Sequence, residues 1–127
     1  MRKYLDDIGV TDYPEKWGKN SSRQRKWKKE RKLYGFDERE TWALNWTFYY
    51  WLYEHLMHYI KVCKIDLSFH KLTYKNIKYT QEQLINMMLE RLRFSFSDEY
   101  DEFDNEHCEY VHEIEKIWAI ILPVMWW

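Results

Sequence analysis

The chain has 127 residues, 20% of them Phe, Trp or Tyr, with a formal net charge of −1. Three Gly and two Pro in so aromatic a chain argue against extended disorder, and the length fits one domain burying about two-thirds of its unfolded surface. The charged opening "MRKYLDDIGV" lacks the pattern of a signal peptide, and Cys63 and Cys108, without CxxC spacing, read as reduced thiols.

In chain order, residues 1–20, with Pro14 and Gly18, read as an irregular lead-in. "KNSSRQRKWKKERKLYG" offers Ser21 or Ser22 as a cap and Gly35 as a stop, which predicts a basic helix over 22–34. Its Arg23, Arg25, Lys26, Lys28, Lys29, Arg31 and Lys32 could meet phosphates, with Trp27 stacking on a base or nucleotide. Trp27 serves equally well as an anchor to a core.

Next comes "GFDERETWALNWTFYYWLYEHLMHYI". Asp37 and Glu40 have capping-box spacing, and no Gly or Pro follows before Cys63. A continuous helix over 38–63 is predicted. Its Trp, Tyr, Phe, Leu, Met and Ile cover nearly the whole circumference, the pattern of a central core helix or a membrane span. The longest uncharged run, Thr41 to Tyr53, has 13 residues, whereas a span needs about 20. The core reading stands, and Asn45 on its apolar face then requires a hydrogen-bond partner.

In "IDLSFHKLTYKNIKYTQEQ" the period changes to two, with Lys75-Asn76 as a tight turn, so a hairpin or extended insert is expected at about 66–79. Thr80 and Gln83 form a second cap pair, opening a helix with Leu84, Met87, Met88, Leu92 and Phe96 on one face. A last helix is expected over 97–122, capped by Ser97 or Asp98. Tyr100, Phe103, Tyr110, Val111, Ile114, Ile117, Trp118 and Ile121 share its apolar face, and Glu102, Glu106, Glu109 and Glu113 line another. Pro123 ends it, leaving "VMWW" to pack on the core or to form a sticky patch. The expected fold is mainly α: a small four-helix domain around the central aromatic helix, with the insert at 66–79.

Charge is unevenly spread. Residues 1–35 hold 11 Lys or Arg against 5 Asp or Glu, and residues 97–115 hold 9 acids and no Lys or Arg. Such segregation suits electrostatic docking, and two solvated faces produce it as well.

Signs of catalysis are sparse. Glu109 and His112 have the Glu-x-x-His spacing of di-metal bundles, and Glu54 and His58 could face them, but that motif occurs once where such sites repeat it. Cys108, His112 and Glu115 form an alternative one-faced set. Carboxylates around Cys108 disfavour its thiolate, Cys63 ends an apolar helix, and no Gly-rich phosphate loop is present. A binding protein without metal or cofactor is therefore expected, rather than an enzyme.

The run Gly35-Phe36-Asp37-x-Arg39-Glu40-Thr41-Trp42-x-Leu44, with Tyr79-Thr80-Gln81-x-Gln83 after it, resembles a motif of small uncharacterised bacteriophage proteins. Gln83 stands where an acid is commoner. The resemblance spans about 36–92 and omits both the basic arm and the acidic segment. It implies phage origin, the cytoplasm of an infected bacterium and an accessory role, with no activity attached. Such proteins often bind host machinery, which makes a host protein the expected partner, for instance a defence effector such as a CRISPR nuclease. Glu102, Glu106, Glu109 and Glu113 are then the candidate contact surface. The alternative is nucleic-acid binding by the basic arm, or sequestration of a signalling nucleotide. No membrane partner is expected, and the oligomeric state stays open.

Overall fold

The computed structural model describes residues 22–126; the expected lead-in at 1–20, Ser21 and Trp127 lie outside them. Most of the described chain is helical, with one small hairpin. It divides into two compact units, one ending at Leu52 and one beginning at Tyr53.

The first unit contains α1 (Ser22–Tyr34), the short α2 (Arg39–Trp42) and the start of α3 (Leu44–Val62). α1 stops where predicted. Gly35 takes a left-handed φ of 81°, and its amide reaches back to the carbonyl of Arg31 at 3.0 Å, the conformation that a residue without Cβ adopts most readily. Trp27 is the one buried residue of α1; the rest of the helix is polar or exposed.

The continuous helix expected over 38–63 is interrupted. Ala43, at φ −130° and ψ 65°, lies outside helical geometry and separates α2 from α3. Both ends of α2 address Trp27: the Arg39 guanidinium lies 4.4 Å from its ring centroid, and Trp42 meets it edge-on at 5.9 Å. α3 instead buries Tyr49, Leu52 and Leu56, one stripe at helical spacing. The kink at Ala43 lets the two segments present different faces. It also corrects the picture of a helix buried all round. Trp42, Leu44, Asn45, Trp51 and Met57 are exposed, and Phe48 and Trp51 cover each other instead, with nearly parallel rings 6.2 Å apart. An aromatic-rich helix satisfies its outer rings by pairing along its own surface as well as by burial.

The second unit begins inside α3 and follows with β1 (Lys71–Tyr74), β2 (Ile77–Thr80), α4 (Gln81–Ser95), α5 (Asn105–Ile121) and a 3₁₀ turn, Leu122–Val124. The hairpin is antiparallel with Tyr74 opposite Ile77. Lys75 and Asn76 both have positive φ, 52° and 63°, as a two-residue type I′ turn requires. Thr80 and Gln83 form the predicted reciprocal cap: the Thr80 hydroxyl accepts from the Gln83 amide at 3.1 Å, and the Gln83 side chain accepts from the Thr80 amide at 2.8 Å. α4 and α5 pack on each other, β2 packs on α4, and β1 on α5. Leu84, Ile85, Met88, Leu89 and Leu92 of α4 are buried, as are Val111, Ile114, Ile117 and Ile121 of α5.

α5 starts later than the expected residue 97. Ser97 closes the end of α4, its amide and hydroxyl both donating to the Phe94 carbonyl. Asp101 and Asp104 then accept amides two residues ahead, from Phe103 and Glu106, each at 2.9 Å. Short acidic side chains that bond local amides compete with helix, so residues 97–104 form a loop and Asp104 becomes the cap of α5. Trp126 is 61% exposed. The tail is tied down through backbone instead, Tyr59 donating to the Trp126 carbonyl at 3.1 Å and Gln81 to that of Val124 at 3.3 Å.

Leu89 is 1% exposed. Leu89→Ala should lower unfolding free energy by about 2–5 kcal/mol, read by chemical denaturation followed by circular dichroism; a change below about 1 kcal/mol would contradict its burial in a packed core.

Candidate functional site

The basic helix is organised by a buried charge cluster in the first unit. Arg39 and Asp37 have side chains with no solvent exposure. The guanidinium grips the carboxylate with two nitrogens, at 2.9 and 2.8 Å, and Arg31 adds a third contact at 2.6 Å. Glu40 reaches back to the Asp37 amide at 3.3 Å, as a capping box would. Asp37 does not complete the box, since it accepts the Arg39 amide at 3.0 Å and gives its other capacity to the guanidiniums. Burial pushes the Asp37 carboxyl up, but the hydrogen bonds from Arg39 and Arg31 outweigh burial and hold it below the usual carboxylate range. One guanidinium nitrogen of Arg39, Nη1, is buried without a hydrogen-bond partner among the described residues.

This cluster takes Trp27 out of the nucleotide-stacking role expected of it. The indole is fully buried and donates to Glu38 at 2.9 Å. Glu38 also binds Lys26 at 2.7 Å, and Arg31 is engaged with Asp37. Of the candidate phosphate ligands, Lys26 and Arg31 thus serve the fold. Arg23, Arg25, Lys28 and Lys29 remain on the exposed surface of α1, joined by Lys32.

The acidic row is likewise rearranged. Glu102 lies in the loop and not on a helix, while Glu106 and Glu109 are exposed on α5. Glu113 is drawn inward, accepting from the Tyr74 hydroxyl and pairing with Lys75 at 3.3 Å and Arg91 at 3.5 Å. Burial raises the Glu113 carboxyl, yet the Tyr74 and Lys75 hydrogen bonds and the charge of Arg91 bring it below its ordinary value. Burial and the same contact push the Tyr74 phenol up to about 12. Arg91 also lies 4.5 Å over the Tyr110 ring. Glu113 is therefore a strut joining β1, α4 and α5, and the expected four-carboxylate row is reduced to Glu102, Glu106 and Glu109.

Asp98, Glu99 and Asp101 extend that surface through the loop. Among the described residues, no Lys or Arg pairs with Asp98, Glu99, Glu102, Glu106 or Glu109. Phe103, 88% exposed, stands between these acids in the chain. Sequence reasoning assigned Phe103 to a helix face. The Asp-x-Phe-Asp spacing, which favours local Asx bonds, was the available signal for a loop.

The first unit also carries two shallow clefts of about 300 and 330 Å³ that share Phe36 and Thr41. Their walls are mostly apolar. Both cysteines are free thiols; Cys108 donates to the Glu102 carbonyl at 3.2 Å. Among the described residues, no three His, Cys, Asp or Glu side chains gather as metal ligands, the Glu109–His112 pair included, and no helix is long and apolar enough to cross a membrane. No protein-family model matches the chain, and comparison with curated proteins and with solved structures gives no match.

Breaking the buried pair should be costly. Asp37→Asn leaves the Arg39 charge buried without its counter-ion, and a loss of about 3–5 kcal/mol is expected. Because the folded-state Asp37 carboxyl lies below its unfolded value, its contribution is complete above the unfolded value and disappears as pH falls through the folded one. Denaturant midpoints measured from pH 7 down to pH 2 should show an acid-dependent loss in the parent chain that is reduced in Asp37→Asn.

Proposed function

We propose that the chain is a small accessory protein of bacteriophage type that acts, in the cytoplasm of an infected bacterium, by binding a host protein. The contact surface in this reading is the loop 97–104 with the first turns of α5. The observation that carries it is the set Asp98, Glu99, Glu102, Glu106 and Glu109, which pairs with no Lys or Arg among the described residues and flanks the exposed Phe103 along the chain. Uncompensated carboxylates steer toward a basic partner, and a central aromatic ring supplies the apolar anchor that interfaces favour. The complementary surface is a basic groove with an apolar slot, such as the nucleic-acid channel of an antiviral nuclease. The defence context rests on analogy with small phage accessory proteins and on no residue of this chain.

A second reading has one observation in its favour. Lys28, Lys29 and Lys32 are exposed on α1, an arrangement that suits phosphate contacts. Without Trp27 to stack, such binding would be electrostatic and indifferent to sequence.

Affinity purification from nuclease-treated host cells separates the two. Glu106→Lys with Glu109→Lys, and separately Phe103→Asp, should each weaken capture of one host protein by about tenfold or more. Lys28→Glu with Lys29→Glu should leave it unchanged. The reverse pattern, with nucleic acid retained by the parent chain, would favour α1 and remove the acidic surface from consideration.

A further inference from the structure

The loop 97–104 has no regular secondary structure, and two side chains from the first turn of α5 hold it by its backbone. Cys108 donates to the Glu102 carbonyl at 3.2 Å. His107 does the opposite: its Nδ1 accepts the Asp101 amide at 3.1 Å. A ring nitrogen can accept only when it carries no proton, so this bond requires neutral imidazole with hydrogen on Nε2. That second nitrogen lies 3.7 Å from the Asp104 carboxylate.

We propose that His107 is a proton-operated latch on the acidic loop, closed when the ring is neutral and open when it is protonated. Protonation turns Nδ1 into a donor facing another donor, the Asp101 amide, and the bond is lost. The ring itself has reason to stay. Phe94 meets it edge-on at 5.0 Å, Tyr100 stacks at 26° and 6.4 Å, and a cation on Nε2 gains the Asp104 carboxylate. The proton therefore exchanges a loop contact for a helix-cap contact without dislodging the imidazole.

The surroundings of the ring come from α4, from the loop and from α5 itself. From α4 the ring meets the uncharged Phe94. From the loop it meets Tyr100, Asp101 and Asp104, and on its own helix Glu106 and Cys108 are its neighbours. Burial, followed by its contact with Cys108, raises the Tyr100 phenol.

As regulation of the acidic contact surface, the latch rests on the binding role proposed above; as a property of the free chain, it does not. The test accordingly uses the free full-length protein. Nuclear magnetic resonance should show the Nε2–H form of His107 at pH 8. Hydrogen exchange at the Asp101 amide, corrected for intrinsic pH dependence, should accelerate about three- to tenfold as the ring protonates. In His107→Gln, whose side-chain oxygen accepts without titrating, that acceleration should vanish. The Nδ1–H form at pH 8, or Asp101 exchange indifferent to the protonation of His107 in the parent chain, would overturn the proposal. Partner capture compared at pH 7.5 and 5.5 is a separate readout: failed capture at both, with the latch intact, counts against the acidic surface and not against the latch.

Discussion

In the first unit, a positive charge sealed from water governs what surrounds it. Arg39 is tolerable there because Asp37 meets it with two oxygens and the Trp27 face covers it. A guanidinium suits this better than an ammonium would, since it is planar, more weakly hydrated and able to engage a carboxylate and a ring at once. The same arrangement explains how α1 is held. A helix so polar has little apolar surface to dock, and its one buried residue is the indole beneath the guanidinium. Glu38 then clips the indole N–H and Lys26 together. The price is one guanidinium nitrogen without a hydrogen-bond partner among the described residues.

The second unit depends on local rules, and it was correspondingly legible. Lys75-Asn76 between alternating residues pointed to a two-residue turn, and both residues adopt the left-handed conformation such a turn needs. Thr80-x-x-Gln83 pointed to a helix start, and both reciprocal bonds are present. These signals work because donor and acceptor lie within four residues of each other. Where a charged or hydroxyl-bearing side chain claims the residue instead of a local backbone amide, the same signals fail. Asp37 looked like a cap but is claimed by Arg31 and Arg39. Glu113 looked like one of a solvated row but is claimed by Tyr74, Lys75 and Arg91. Composition could not say which carboxylates would be neutralised by the fold and which left over. Asp101 and Asp104 failed for a different reason, because their competing bonds are local too and outbid the helix pattern.

That distinction bears on function more than the charge totals do. Nine acids in residues 97–115 suggested one broad negative face. The structure sorts them into struts, caps and a remainder, and only the remainder has spare electrostatic capacity to offer a partner. The basic helix sorts in the same way, with Lys26 and Arg31 occupied internally. The candidate surfaces are therefore smaller than the sequence suggested and more sharply placed.

The connectivity of the second unit has a kinetic consequence. The pairs β1–β2, β2–α4, α4–α5 and α5 with the terminal 3₁₀ turn all join elements consecutive in the chain or nearly so. The hairpin and α4 can form early from short-range information, on the microsecond scale typical of such units. Docking of β1 on α5 spans the longest stretch of sequence among these pairings, and Tyr74–Glu113 is its hydrogen-bonded link. Loop-closure entropy makes that contact a late event. During synthesis the hairpin and α4 emerge from the ribosome first, so the apolar face of α4 waits uncovered until α5 follows.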